Sequence, residues 1–105
     1  MTDVQADMVD EDVAVIRPTG RLDMVAAPRL RSLVSDTVKA GRRRIVVDLA
    51  DTEFMDSSGL GALIAGLKTA RQAGGDLRIA CPTAQVATVL KLTNLDRVLR
   101  PFTSV

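Results

Sequence analysis

The chain of 105 residues contains no histidine and a single cysteine. Without histidine, neither a Ser-His-Asp triad nor a histidine-based zinc site can form within the chain. One cysteine cannot form an internal disulfide, which fits a reducing compartment, and it argues against a structural zinc site. We therefore expect neither a metal nor a cofactor, and no enzymatic activity of the protein's own.

Aromatic residues and excess charge are also scarce. Only two residues are aromatic, both of them Phe, so the core has to consist of Val, Leu, Ile, Ala and Met. The net charge of +1 provides no field that would attract nucleic acid or an acidic membrane. The run Arg42-Arg43-Arg44 lacks interleaved aromatic residues, and it is better explained as cations near a helix C-terminus. We expect no direct nucleic-acid partner.

Long apolar runs are absent too. None could span a bilayer, and acidic residues stand near the start of the chain, where a signal peptide would be basic and then apolar. The sequence therefore predicts a cytoplasmic protein without a membrane partner.

Apolar residues recur with alternating strand and helix periods, which predicts one α/β domain over residues 1–105. We expect a mixed, mostly parallel sheet of four to five strands with alternating helices. The strands are predicted at Val4–Met8, Val13–Arg17, Ile45–Leu49, Leu77–Cys81 and Val98–Phe102. The helices are predicted from about Val25 to Gly41, from Ser57 to Gly74 and from Thr83 to Leu92.

Three local expectations accompany these elements. Pro18 and Gly20 are expected to close the second strand, because proline cannot donate to a ladder. The β-branched run Ile45–Leu49 is typical of a strand covered on both faces. Cys81 alternates with Ile79 and is expected in the core.

The most informative stretch runs from Phe54 to Gly61 and joins a strand pattern to a helix pattern. Ser57 and Ser58 then fall in the first turn of the helix, where unpaired N–H groups favour anions. A serine there is either a cap or a chemically accessible hydroxyl, and spacing alone does not decide between them. Asp56 could supply the cap and leave the Ser57 hydroxyl free.

Other residues near this stretch have two explanations each. Gly59 and Gly61 lower helix propensity, so they serve either close packing or access for a partner. Asp23 follows a strand end and is either a turn or cap residue or a partner contact. Asp51 and Glu53 either add acidic character near the serine or belong to a solvated loop, and the loop is the better explanation.

The sequence Asp56-Ser57-Ser58-Gly59-Leu60-Gly61 resembles the phosphorylation site of bacterial anti-sigma factor antagonists. These are stand-alone members of the STAS family (sulphate transporter and anti-sigma factor antagonist). The run from Gly20 to Asp23, followed by Ala26-Ala27, is similar to the family's strand exit and helix entry. Residues 89–95 resemble its last helix and turn, with Asn94 in place of the frequent glycine.

This resemblance implies a function and a set of site residues. An unphosphorylated antagonist binds an anti-sigma factor that is also a serine kinase, and thereby frees a sigma factor. The kinase phosphorylates the antagonist and releases it, and a protein phosphatase reverses the modification. The resemblance places the phosphate on Ser57 and the partner contacts on Asp23, Asp56, Ser57, Ser58 and Gly59. It also implies transcription regulation in a stress response or sporulation, and we expect a monomer.

Two alternatives remain open from the sequence. The same helix N-terminus could bind a small anion or nucleotide without covalent modification. The domain could also be a scaffold subunit of a transport or stress-sensing complex, since STAS domains occur in such assemblies.

Overall fold

Two initial strands are followed by alternating helices and strands. The computed structural model describes residues 3–8 and 13–93. Its elements are β1 (Asp3–Met8), β2 (Val13–Leu22), α1 (Ala27–Lys39), β3 (Arg44–Asp48), β4 (Thr52–Met55), α2 (Ser57–Gln72), β5 (Asp76–Ala80) and α3 (Ala84–Leu92). The predicted strand Val98–Phe102 and the turn at Asn94 lie outside the described residues.

The five described strands form one sheet in the order β1-β2-β3-β5, and β4 also pairs with β2. β1 is antiparallel to β2, while β2–β3, β3–β5 and β2–β4 are parallel. The predicted mixed, mostly parallel sheet is confirmed.

β2 does not end at Pro18 and Gly20, so that prediction is wrong. The strand changes partner instead: its first half pairs with β3 up to Ile16, and its last residues from Gly20 pair with β4. Pro18 falls between these two segments, where its missing N–H costs no parallel hydrogen bond. Gly20 has φ of 89° and sits at a shift in register, so the strand bends there and continues to Leu22.

The strand β4 was not predicted, and Glu53 lies in it instead of in a loop; Asp51 lies in the exposed turn before it. Thr52 and Met55 are buried while Glu53 is exposed. The Thr52 hydroxyl donates to the Pro18 carbonyl oxygen at 2.9 Å. β4 therefore runs beside the end of β2 and places Met55 opposite Leu22.

α1 and α2 pack side by side on the sheet, and the core between them is aliphatic, as predicted. Pro28 lies in the first turn of α1, and Gly41 follows its end with φ of 95°. On α2, the predicted apolar residues Leu60, Leu63 and Leu67 are buried, and Ile64 is half-buried. The largest fully buried side chains are Ile16, Leu22, Leu30, Ile45, Leu49, Met55, Leu63, Leu77, Ile79, Leu90 and Val15.

Two burial predictions are wrong. Val46 is only half-buried, so β3 is not covered equally on both faces; Ile45 and Val47 point to the cluster that α1 and α2 cover. Cys81 is partly exposed and lies beyond β5, because the chain turns there with φ of 52°.

Candidate functional site

Ser57 is exposed at the first residue of α2, directly after the helix cap. The Asp56 carboxylate supplies that cap: its Oδ1 accepts from the N–H groups of Ser58 at 2.9 Å and Gly59 at 3.2 Å. The Asp56 backbone is extended, with φ of −113° and ψ of −170°, as is usual at an N-cap. The helix start is therefore stabilised without the Ser57 hydroxyl, which leaves that hydroxyl available at the surface.

The parallel pairing of β2 with β4 brings Asp23 to the same edge of the sheet. Leu22 and Met55 are register partners, and each is followed directly by an aspartate. The Asp56 N–H also donates to the Leu22 carbonyl oxygen at 3.4 Å. The structure thus brings Asp23, Asp56 and Ser57 together, at the carboxyl ends of two adjacent strands.

Asp23 also acts on backbone groups at the start of a helix. Its Oδ1 accepts from the N–H groups of Val25 at 3.0 Å and Ala26 at 3.3 Å, just before α1. Its Oδ2 lies 3.9 Å from Nε of Arg21, whose guanidinium stacks 4.4 Å from the centre of the Phe54 ring. Of the two explanations left open by the sequence, the turn and cap role is the one seen in the structure. A partner contact by Asp23 stays a prediction.

Ser58 differs from Ser57 in its exposure. It is half-buried and lines a shallow cleft between the starts of α1 and α2, together with Met24, Ala27, Pro28 and Arg31. The nearby Thr52 hydroxyl is fully buried and bonded to a carbonyl. Among these three hydroxyl residues, Ser57 is the one that a partner can reach with the least rearrangement.

Met24, which lines this cleft, and its neighbour Val25 are exposed apolar residues that were not recognised as site residues from the sequence. Met24 is 72% exposed and Val25 is 76% exposed, in the segment between β2 and α1. Their position directly after Asp23, outside the helical period of α1, was the available signal. The two residues are adjacent in the chain, so together they add exposed apolar surface directly after Asp23.

The structure gives Gly59 a packing role. A Cβ there would meet the Leu22 carbonyl oxygen and lie 2.9 Å from Cγ of Met55. Gly61 is less constrained, because a Cβ there would approach only Nη2 of the flexible Arg31, at 3.3 Å. Because Gly59 is buried, the partner contact predicted for it would have to involve the backbone, and it stays a prediction.

The described residues offer little for metal chemistry. Within ranges 3–8 and 13–93, no group of three or more His, Cys, Asp or Glu side chains is placed to hold a metal ion. In the same part of the chain, no helix is long and apolar enough to cross a membrane.

Arg44 opens β3 opposite Val13, at the end of β2 away from Ser57, so the arginine run is not part of this site.

Comparison with known proteins finds a matching family and several similar proteins. A family model described as the STAS domain matches residues 6–105. A Thermotoga maritima protein described as a candidate anti-sigma factor antagonist is 31% identical over 96 residues, which cover 90% of this chain and 85% of that protein. The anti-sigma-B factor antagonist of Staphylococcus aureus is 29% identical over 84 residues, 80% of this chain and 78% of that protein.

Solved structures show the same similarity. The crystal structure of a candidate anti-sigma factor antagonist from Thermotoga maritima superposes with a TM-score of 0.88 at 31% identity, covering 97% of this chain and 87% of that one. The unphosphorylated form of the anti-sigma factor antagonist SpoIIAA has a TM-score of 0.84 at 24% identity, covering 98% and 88%. The second likeness is evidence for the fold alone.

Proposed function

The chain belongs to the STAS domain family, and we propose that it is an anti-sigma factor antagonist controlled by phosphorylation of Ser57. In the unmodified form it binds an anti-sigma factor that is also a serine kinase, and a sigma factor is released. The kinase then phosphorylates Ser57, the complex dissociates, and a protein phosphatase restores the binding form. The protein itself catalyses nothing and acts in the cytoplasm.

The observation that supports this proposal best is the exposed Ser57 hydroxyl directly after a carboxylate that already caps α2. A kinase needs a serine hydroxyl that can reach its bound ATP without unfolding the substrate. Ser57 meets this requirement because its side chain is not needed for the cap. The exposed apolar side chains of Met24 and Val25 offer contact area for the same partner.

Electrostatics explain how the modification would change binding. A phosphoryl group adds about −1.5 to −2 charges at neutral pH. The N-terminus of α2 stabilises that charge, whereas the nearby carboxylates of Asp56 and Asp23 repel it. The fold therefore persists, while the docking surface, formed by Asp23, Asp56 and Ser57 and their exposed neighbours, becomes more negative. A loss of about 3 kcal/mol in binding free energy corresponds to roughly 100-fold in affinity.

The relatives support the class of partner. The Staphylococcus aureus and Paenibacillus polymyxa relatives are named as antagonists of anti-sigma-B and anti-sigma F factors, at 29% and 27% identity. SpoIIAA, which shares the fold, has been described in a phosphorylated form with a TM-score of 0.76 to this chain, so the fold accommodates such a modification.

The test is to incubate the protein with ATP and the anti-sigma factor kinase of its host, and to map the phosphopeptides by mass spectrometry. We expect one phosphoryl group, on Ser57, and none on the Ser57→Ala variant. Ser58→Ala is the matched control and should be modified like the wild type. Phosphate on Ser58 or Thr52 would overturn the site assignment. A protein that stays unmodified would contradict the switch and favour an anion-binding module or a scaffold.

A further inference from the structure

The side-chain amide of Gln85, in the first turn of α3, makes two hydrogen bonds with the backbone of Met55. Its Oε1 accepts from the Met55 N–H at 3.0 Å, and its Nε2 donates to the Met55 carbonyl oxygen at 3.2 Å. β4 pairs with β2 along its other edge. The Gln85 amide therefore satisfies Met55 in the way that a neighbouring strand would.

Met55 is two residues before Ser57, and its side chain is buried under the start of α2. A Cβ on Gly59 would lie 2.9 Å from Cγ of Met55, so this side chain supports the first turn directly. The peptide that joins Met55 to Asp56 also leads into the cap of α2. A rotation of the Met55 peptide groups would consequently move both Asp56 and the Ser57 hydroxyl.

We propose that Gln85 is a positioning residue for the phosphorylation of Ser57, an inference that rests on the proposed function. In that reaction Ser57 Oγ forms a bond to the γ-phosphorus of ATP, and the bond from this phosphorus to the β–γ bridging oxygen breaks. ADP leaves, and the hydroxyl proton passes to a base of the kinase. Such a transfer needs the attacking oxygen about 3–3.5 Å from phosphorus, and a misplacement of about 1 Å can slow it roughly 100-fold.

The competing explanation is that Gln85 only stabilises the open edge of β4. Thr83 provides a comparison within the same segment, because its hydroxyl donates to the Thr52 carbonyl oxygen at 2.9 Å. Thr52 is at the opposite end of β4 from Met55. Loss of the Thr83 bond would weaken the same edge without releasing the peptide that leads into Ser57.

The first measurement needs no kinase. Amide hydrogen exchange by NMR should compare the wild type with Gln85→Leu and Thr83→Val, which remove these side-chain bonds with little change in volume. Gln85→Leu should speed exchange about tenfold at Met55, Ser58 and Gly59, because the loss of one hydrogen bond changes the opening equilibrium by about this factor. The amides of α1 should keep the wild-type rate. Unchanged exchange at these three amides would overturn the proposal.

The second measurement is the phosphorylation rate with ATP and the same host kinase, at a temperature where every variant is folded. Gln85→Leu should lower kcat about tenfold or more with a smaller change in KM, and Thr83→Val should keep the wild-type kcat. Equal kcat for the wild type and Gln85→Leu, or equal losses in both variants, would contradict positioning.

The same measurements distinguish failure of the proposed function from failure of this inference alone. If the wild type itself is not phosphorylated, the proposed function fails and the inference fails with it. If the wild type is phosphorylated and Gln85→Leu keeps the wild-type kcat, the inference alone fails. Should Gln85→Leu not fold, Gln85→Glu replaces it. That variant can still accept from the Met55 N–H but cannot donate to the carbonyl oxygen, so its kcat should fall below that of the wild type.

Discussion

The carboxylates of Asp23 and Asp56 each accept hydrogen bonds from two backbone N–H groups. Those bonded to Asp23 lie just before α1, and those bonded to Asp56 lie in the first turn of α2, next to Ser57. These carboxylates hold the backbone near Ser57 in one geometry. The serine itself contributes no cap, so its side chain can be modified without loss of that geometry. The two carboxylates therefore fix the backbone geometry, while the proposed modification falls on Ser57, which has no part in that geometry.

Part of this arrangement could be predicted from neighbouring residues alone. The order Asp56-Ser57 at a helix start makes Asp56 a candidate cap, because capping depends on positions only two or three apart, and the structure shows that its carboxylate takes this role. The contact of Gln85 with Met55 could not be predicted, since it joins residues 30 positions apart in the sequence. No local pattern marks that glutamine.

Removal of the Asp56 cap should destabilise the protein. We expect Asp56→Ala to lower the free energy of unfolding by about 1 kcal/mol, since two N–H groups lose their acceptor. Asp56→Asn is the control and should stay close to the wild type, because its side-chain oxygen can still accept. Urea denaturation of the unphosphorylated proteins measures the difference. Equal stability of all three would mean that the carboxylate does not carry the cap.

At the scale of elements, α2 sits close to the sheet because small residues line its buried face. Gly59, Ala62, Gly66 and Ala70 are all buried there. A Cβ on Gly66 would lie 3.0 Å from Cδ1 of Leu77 on β5. This close approach brings the first turn of α2 over the ends of β2 and β4, where Ser57 becomes exposed.

The helices were easier to predict than the strands. Each helix shows its apolar period over nine or more residues. β4 has only four residues, one of them exposed, so it lacks a recognisable run. The continuation of β2 past Pro18 depends on a change of partner from β3 to β4, and that change is a tertiary event. Local propensity contains no information about it.

Two glycines of α2 should respond in opposite ways to the same substitution. Gly59→Ala places a methyl group against the Leu22 carbonyl oxygen and should cost about 1–3 kcal/mol through overpacking. Gly61→Ala meets only the flexible end of Arg31 and should stabilise by up to about 1 kcal/mol through helix propensity. Thermal and urea unfolding would measure both. A stabilising Gly59→Ala would contradict the close packing of α2 on β2.

At the scale of the whole molecule, β2 connects the site to the rest of the sheet by pairing with β1, β3 and β4. The Ser57 side chain is exposed, whereas Leu22, Met55 and Leu63 are fully buried in the core. Charge added at Ser57 consequently does not enter the core. The switch should act at the docking surface and leave the fold unchanged.

Amide spectra of the phosphorylated and unmodified protein check this expectation. We predict near-identical shifts outside residues 20–25 and 52–62, apart from the start of α3 where Gln85 contacts Met55. The melting temperatures should also be similar, because the dipole of α2 offsets part of the repulsion from Asp56, by about 0.3–1 kcal/mol. Shifts that spread through β3 or the far end of α3 would indicate a conformational rearrangement.

The affinity of the host anti-sigma factor for the two forms of the protein tests the central claim most directly. Calorimetry should compare unmodified protein with protein phosphorylated on Ser57, with Ser57→Ala and Ser57→Asp as controls. We predict that phosphorylation weakens binding roughly 100-fold or more, that the alanine variant binds like unmodified protein, and that the aspartate variant loses part of the affinity. Equal affinities of the phosphorylated and unmodified forms would contradict the switch.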